Sequence, residues 1–298
     1  MATKNKSMFP TISVVVPVKN GIPYVCRTIS SIRDSKRGDF NVEVIVVDNY
    51  SIDGTSESLK QFKDLNLTII RPDRPLNIYE NWTLAINSAT GDFIKLLCAD
   101  DIIDNDCLST QFAILSNPMN EDVSAVFGTR SLIDEFDNCV WGARSTGLPT
   151  GKISGINALK AIAIAGTNIL GEPLTALFRS EAIKKAMPWP SKTPYMLDVG
   201  GYLPLLLASN IYVSNQKCGS YRVHKGTLSS SLSSSQAKQF VEFILELPLN
   251  LGWSDITVIR IKAFIQQHKR KVFYKFLDFQ LGRITLKKVT RILNGNAK

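Results

Sequence analysis

The residues of this chain best suited to chemistry are acids that close apolar runs. Phe93-Ile94-Lys95-Leu96-Leu97 is a run of the kind a buried strand makes, and Cys98-Ala99-Asp100-Asp101 follows it directly. Val42 to Val47 ends in the same way on Asp48. Adjacent carboxylates at a strand end can hold a hard divalent cation that neutralises phosphates, and a neighbouring carboxylate can accept hydrogen bonds from a base or ribose. The combination asks for a polar, phosphorylated ligand. Further on, Asp198 opens an apolar helix-like run to Ala208, and Arg222 and His224 stand in a polar stretch after a short strand pattern. Each residue also has a plain structural reading. Asp48, Asp53, Asp101 and Asp198 all stand where helix caps stand, Arg222 would pair with an acid, and His224 would face solvent. Cys98 reads as a small buried hydrophobe.

The elements that must position these groups follow from periodicity. Thr11 to Val18 is rich in β-branched residues and contains Pro17; Lys19-Asn20-Gly21 turns the chain into a helix over about Tyr24 to Asp34. Val42–Val47 is followed by the polar turn 49–55 and a helix near Ser56 to Phe62. Leu67–Arg71, a loop to Asn77, and a helix over Ile78–Ser88 repeat the pattern before the strand that ends on Asp100. Repeated strand–helix units imply a parallel sheet with right-handed crossovers, its loops gathered on one edge. No GxGxxG follows the first strand, which argues against a dinucleotide-binding fold and leaves the phosphates to a metal. After Asp101 the pattern predicts a helix over Asp104–Leu115, strands at Val123–Gly128 and Ser131–Phe136, and a Gly/Ser/Thr-rich loop over Gly142–Gly155. It continues with a helix over Ile156–Ala165, a strand over Leu174–Phe178, and short strands at Ile211–Val213 and Gly219–Val223. From Ser233 the chain reads as amphipathic helix, so the domains are expected as 1–232 and 233–298.

Composition narrows the classes. Of 298 residues, 44% are hydrophobic and 20% charged, the balance of a globular protein, and Met1 to Pro10 holds no apolar stretch resembling a signal peptide. The five cysteines are odd in number and form no CxxC pair, which points to reduced thiols and a cytoplasmic location. The net charge of +9 is local: residues 253–298 hold 11 Lys/Arg against 2 Asp/Glu, while the first 252 residues balance at 24 against 24. An anionic partner is therefore sought at the tail. An anionic membrane surface fits a basic amphipathic segment there, against the plainer reading of a helical cap with a solvated basic face. Nucleic acid does not fit, since few aromatics are placed for stacking and no recognition motif is present.

Taken in order, Val14-Val15-Val16-Pro17 with Asn20, Val46 to Thr55, Gly91-Asp92 through Asp100-Asp101, and Tyr221-Arg222-Val223-His224 resemble the inverting family-two glycosyltransferases of the GT-A fold. The resemblance covers roughly residues 11 to 230. It implies an α/β fold, a Rossmann-like and mostly parallel sheet flanked by helices, carrying a C-terminal helical extension. It places Pro17, Val18, Asn20, Asp48, Arg74, Asn81, Asp100, Asp101 and Arg222 around a UDP- or dTDP-sugar. It implies Mg²⁺ or Mn²⁺ on Asp100, with His224 as a further ligand, and Asp198 as the general base. It further implies a hexosyltransferase-type enzyme acting on a glycan acceptor, lipid-linked in O-antigen, lipopolysaccharide or capsule synthesis, at the inner face of the cell membrane. The chain departs from the family pattern in two places: Cys98 replaces the first acid of the metal motif, and Leu197-Asp198 offers a single acid where a pair is usual. The alternative from another class is a non-catalytic nucleotide-sugar or glycan-binding module. A nucleotidyltransferase would need a glycine-rich, basic loop after the first strand, and none is present.

Overall fold

The computed structural model describes residues 9–189, 193–224, 232 and 234–280. The chain forms two compact units: Met1–Ala161 with Asn168–Lys192 and Leu197–Val223, and Ile162–Thr167 with Thr193–Met196 and His224–Lys298.

In the first unit β1 (Thr11–Val18), β2 (Asn41–Asp48), β3 (Leu67–Ile70) and β4 (Phe93–Leu96) are the expected parallel strands, joined through α1 (Val25–Arg33), α2 (Thr55–Leu59) and α3 (Ile78–Ser88). β4 is buried throughout, β1 from Ile12 onward and β2 over its second half, because helices cover both faces of such a sheet. Their order is β3-β2-β1-β4, so the chain reverses its direction of travel between β1 and β4. Ligands of open α/β sheets bind beyond the strand ends at such a reversal. The register delivers the acids there: Val18 lies opposite Asp48, and Leu97 donates its N–H to the Val15 carbonyl as β4 runs out into Cys98. Gly91 allows this pairing, since a Cβ on it would sit 2.5 Å from the Thr11 carbonyl oxygen and 2.7 Å from Ser13 Oγ.

The sheet continues past β4 with β9 (Ala176–Arg179), β6 (Val123–Ile133) and β10 (Asn210–Arg222). β9 is antiparallel to both of its neighbours, which makes the sheet mixed. Several sequence expectations are corrected here. β6 is one strand, not two, because Gly128 lets β10 approach closely; a Cβ there would meet Cys218 Sγ and the Gln216 carbonyl. β10 likewise merges two expected strands, with register shifts between Val213 and Gly219 taking up the irregularity. The expected loop over 142–155 instead contains part of β7 (Cys139–Arg144) and all of β8 (Gly151–Ser154), which pair with β6 and β10. Sheet pairing overrode glycine and serine content there. A two-residue strand, β5 (Ile102–Ile103), follows the acids and pairs with Ser220 and Gly219 of β10, so α4 (Cys107–Leu115) starts later than expected.

Lys95 occupies a fully buried position on β4, where its ammonium donates to Gln111 Oε1 on α4 at 2.8 Å and to the Leu174 carbonyl. A cation in that position stays only because its donors are met, and it ties α4 and the approach to β9 onto the acid-bearing strand.

The second unit contains the last turn of α5 (Gly155–Ala165), α8 (Gln236–Leu245) and α9 (Trp253–Gln280); α6 (Ser180–Lys184) and α7 (Leu197–Ala208) belong to the first. Among the described residues no helix is long and apolar enough to cross a membrane.

Candidate active site

Hydrogen bonds fasten together the loops at the carboxyl ends of β1, β2 and β3. Asn20, held at φ 54°, accepts from the Ile52 N–H through Oδ1 at 3.0 Å and donates its own N–H to Ser51 Oγ at 2.8 Å. The Gly21 N–H donates to Thr55 Oγ1, and the Ile22 N–H to Asp53 Oδ2. Asn49 both donates to and accepts from Leu76, and Tyr50 donates its hydroxyl to the Asp73 carbonyl while Arg71 lies over its ring. Asp48 is fully buried beneath this arrangement, its Oδ1 accepting from the Ser51 N–H and its Oδ2 from Ser56 Oγ. Pro17 and Val18 are buried beside it at the end of β1. As placed, the Asp48 and Asn20 side chains hold these loops together with their own hydrogen bonds.

Arg74, also expected at the donor, pairs with Glu80 at 2.5 Å, and Glu80 closes a capping box with Asn77 at the start of α3. This holds the Glu80 carboxyl down at about 2. Arg74 lines an open groove of about 1050 Å³ between α3 and Pro188-Trp189, and neither Asp100 nor Asp101 lines that groove. Asn81, on α3, is buried with Oδ1 unpartnered.

Cys98, Asp100 and Asp101 bring their ligand atoms within 4.8 Å of one another, the one such cluster among the described residues. Arg222 builds it. Fully buried and over the Tyr24 ring, Arg222 donates Nε to the Asp100 carbonyl at 2.8 Å and Nη1 to the Asp134 carbonyl at 2.8 Å, and its N–H goes to Asp101 Oδ1 at 3.0 Å. Nη1 also pairs with Asp137 at 2.6 Å. This guanidinium clamps the acid loop to the β6–β7 hairpin, while its Nη2 is buried without a partner. Asp101 Oδ2 remains buried without a partner, and burial, followed by the charge of Asp100, pushes the Asp101 carboxyl well above the usual range. An orphaned carboxylate oxygen beside a second carboxylate fits a hard cation. Burial, reinforced by Asp101, Asp100, Asp198 and Glu172, pushes the Cys98 thiol well up, so it would offer a neutral sulfur of little use to Mg²⁺ or Mn²⁺. His224 is half-buried and belongs to the second unit; the cluster forms without it.

Asp198 lies in the first turn of α7, and aromatic packing fixes that helix. Trp189 donates Nε1–H to the Leu197 carbonyl at 2.7 Å, packs edge-on against Tyr202 and Trp82, and fills the space left by Gly201, where a Cβ would lie 2.0 Å from the indole. Tyr202 in turn contacts Phe178 and Phe127 on β9 and β6. Burial, then the charge of Glu172, pushes the Asp198 carboxyl up to about 7, against the pull of Arg130.

The sequence reading missed Glu172 and Arg130. Arg130 on β6, 7% exposed at its side chain, grips Glu172 through Nε and Nη2. Burial raises Glu172, but the charge and hydrogen bonds of Arg130 win and hold it below the usual range. Gly171 at φ 95° makes the turn, with Asn168 binding the Leu170 and Gly171 N–H groups. The signal available was Asn168-Ile169-Leu170-Gly171-Glu172-Pro173, an acid between two backbone-restricted residues. Tyr202, one turn after Asp198, was likewise passed over as apolar core; its hydroxyl is buried without a partner.

A reversal point carrying clustered acids, with a half-buried carboxyl raised to about 7 near them, makes this end of the α/β sheet the candidate site. The family model for glycosyl transferase family 2 matches residues 13–164, and the chain belongs to that family. It is similar to an uncharacterized glycosyltransferase of Methanocaldococcus jannaschii, 33% identical over 132 residues, covering 43% of this chain and 44% of that protein. It is also similar to the abequosyltransferase RfbV of Salmonella typhimurium, 27% identical over 101 residues, covering 33% of this chain and 30% of that protein. The matched stretch thus spans less than half of these curated relatives. Among solved structures, Staphylococcus aureus TarS 1–349 in complex with UDP-GlcNAc superposes with a TM-score of 0.63 at 19% identity, covering 93% of this chain and 77% of that one. The mannosyltransferase PcManGT from Pyrobaculum calidifontis, in complex with GDP-Man and Mn²⁺, gives 0.57 at 16%, covering 97% and 80%. The fold is that of the GT-A glycosyltransferases, as the sequence implied.

Proposed function

We propose that this chain transfers a sugar, with inversion at the anomeric carbon, from a UDP- or dTDP-sugar to a hydroxyl of a glycan acceptor in surface-polysaccharide synthesis. The observation that carries the reading is Asp198: a carboxyl raised to about 7, fixed on a rigid helix, and close enough to the acid cluster to act on the Cys98 thiol. A base with a pKa near the working pH combines availability with proton affinity. Support for the substrate class comes from relatives: TarS is seen with UDP-GlcNAc, and RfbV carries the name abequosyltransferase.

In this reading Asp198 accepts the proton of the acceptor hydroxyl as its oxygen bonds to the anomeric carbon. The bond from that carbon to the diphosphate oxygen breaks on the opposite face, and the nucleoside diphosphate leaves. Asp100 and Asp101 would hold a divalent cation, which supplies neutralisation of the diphosphate charge. Arg222 keeps both acids in place through the Asp100 carbonyl and Asp101 Oδ1. Pro17, Val18, Asn20 and Asp48 would line the base and ribose pocket, with Asn81 Oδ1, buried without a partner, as a further acceptor. The acceptor is taken to be lipid-linked, and the enzyme to work at the inner face of the membrane.

The test is nucleotide release from UDP-, dTDP- and GDP-sugars with Mn²⁺, for the natural protein, Asp198→Asn and Asp100→Asn. Both variants should lose at least 100-fold in turnover, on the order of what a positioned general base supplies. Full activity in both would overturn the reading. The second reading, a non-catalytic nucleotide-sugar-binding module, is favoured by the thiol at Cys98. It predicts thermal stabilisation by a donor with no release from the natural protein.

A further inference from the structure

Helix α9 is amphipathic twice over. One face packs within the second unit: Ile259, Ala263 and Leu277 are at most 4% exposed, and Gly166 approaches so closely that a Cβ there would lie 2.6 Å from the Ala263 nitrogen. Arg270, on the same face, donates to the Tyr195 and Thr167 hydroxyls, and Gln266 to the Ala165 carbonyl. The other face should then be polar, as in a helix that caps a domain. It is not. Val258, Ile261, Phe264, Ile265, Val272 and Phe276 stand on it at 44–57% exposure. At about 100° per residue these six form one stripe, bordered by Lys262 and Lys269 on one side and by Arg260, Lys271 and Lys275 on the other. Against these cations the helix carries two acids in sequence, Asp255 and Asp278.

We propose that this outward face of α9 lies in the headgroup region of an anionic lipid bilayer, with the apolar stripe inserted and the flanking cations reaching to lipid phosphates. The pattern selects that occupant. A long helix, about 42 Å at 1.5 Å per residue, with an apolar stripe between basic borders matches the interface between acyl chains and anionic headgroups, and lysines there keep their charge in water. A second copy of this chain would set basic borders against basic borders. A site for a neutral hydrophobic partner would have no use for cations on both flanks. The inference rests on the proposed transfer reaction only for its usefulness, since a lipid-linked acceptor would be met at that surface; the binding itself follows from α9 alone.

The experiment is flotation of the full chain with vesicles of phosphatidylcholine, with and without roughly 30% phosphatidylglycerol, at about 50 mM and about 500 mM salt. Binding should require the anionic lipid and weaken with salt. Lys262→Gln with Lys269→Gln should weaken it roughly 25-fold, about fivefold per surface charge, and Ile261→Ser with Phe264→Ser at least tenfold. All four side chains are exposed, so folding should be intact, as checked by circular dichroism. Absence of binding to anionic vesicles at low salt would overturn the proposal, as would full binding in both double variants. Loss of a dimer on Ile261→Ser with Phe264→Ser, seen by sedimentation without lipid, would assign the face to a second copy and overturn it as well. Asp198→Asn should float like the natural protein, and the α9 variants should release nucleotide at the natural rate. Failure of one proposal is thereby distinguished from failure of the other.

Discussion

Replacing Glu172 by Gln should move the acid limb of the pH–rate profile to lower pH. Asp198 sits near 7 because burial disfavours its charge and Glu172 adds a second negative charge, while Arg130 opposes both. Removing the Glu172 charge deletes a repulsion and also frees Arg130 from its bidentate partner, so both effects favour ionised Asp198. A unit charge several ångströms away, at an effective dielectric of about 20, acts with about 2 kcal/mol or more. Glu172 keeps 26% exposure at its side chain, which screens it, so a shift of about one pH unit is expected. The assay is nucleotide release between pH 5 and 9 at saturating donor, with the limb fitted to a single ionisation. Arg130→Met should move the limb the other way. A limb that stays in place in Glu172→Gln, or rises, would refute the assignment of Asp198 as the titrating base. Loss of all activity at every pH would assign the proton transfer to Glu172 itself.

Asp198→Asn should raise the melting temperature while abolishing turnover. A carboxyl whose folded pKa lies above its unfolded value of about 4 costs stability progressively as pH rises from about 4 to about 7. At pH 8 the variant should therefore be more stable by about 2 kcal/mol once partial solvent contact is allowed for, and the difference should vanish below pH 4. Mn²⁺ affinity measured by calorimetry with a bound nucleoside diphosphate should rise with pH, because ionising the raised Asp101 carboxyl is part of binding; Asp100→Asn should lose metal dependence altogether. Arg222→Gln should lower urea stability by about 3 kcal/mol, since it strands the Asp100 and Asp134 carbonyls in a buried site.

The parallel half of the fold could be read from the sequence because each strand there is a separate apolar run closed by a polar turn. Register followed, since Val18 and Asp48 end their runs at the same pleat position. The later half could not be read so well. Its strands are defined by partners distant in sequence: Gly128 and Thr129 belong to a continuous β6 because β10 approaches there, and Gly142 to Arg144 become part of β7 by pairing with β6. Local composition carries no record of such pairings. The same division separates the site residues. Asp100, Asp101 and Asp198 announce themselves at element ends, but Arg130 lies mid-strand between Thr129 and Ser131 and Glu172 in a turn, and their importance arises only from mutual contact.

Arg222 shows how a residue that the resemblance places at the donor also builds the acid loop. Folding places it at 0% exposure, where the Asp100 and Asp134 carbonyls accept from Nε and Nη1 while Nη2 is left buried without a partner. The consequence reaches Asp101. By donating its N–H to Oδ1, Arg222 leaves Oδ2 as the only carboxylate oxygen of that residue without a partner, so the acid that the resemblance places at the donor but not on the metal becomes the one whose geometry most needs a cation. If so, Asp101→Asn, which keeps the shape and removes the charge, should impair Mn²⁺ binding at least as strongly as Asp100→Asn. A clear ranking the other way, in calorimetry on both variants, would return Asp101 to a purely structural role.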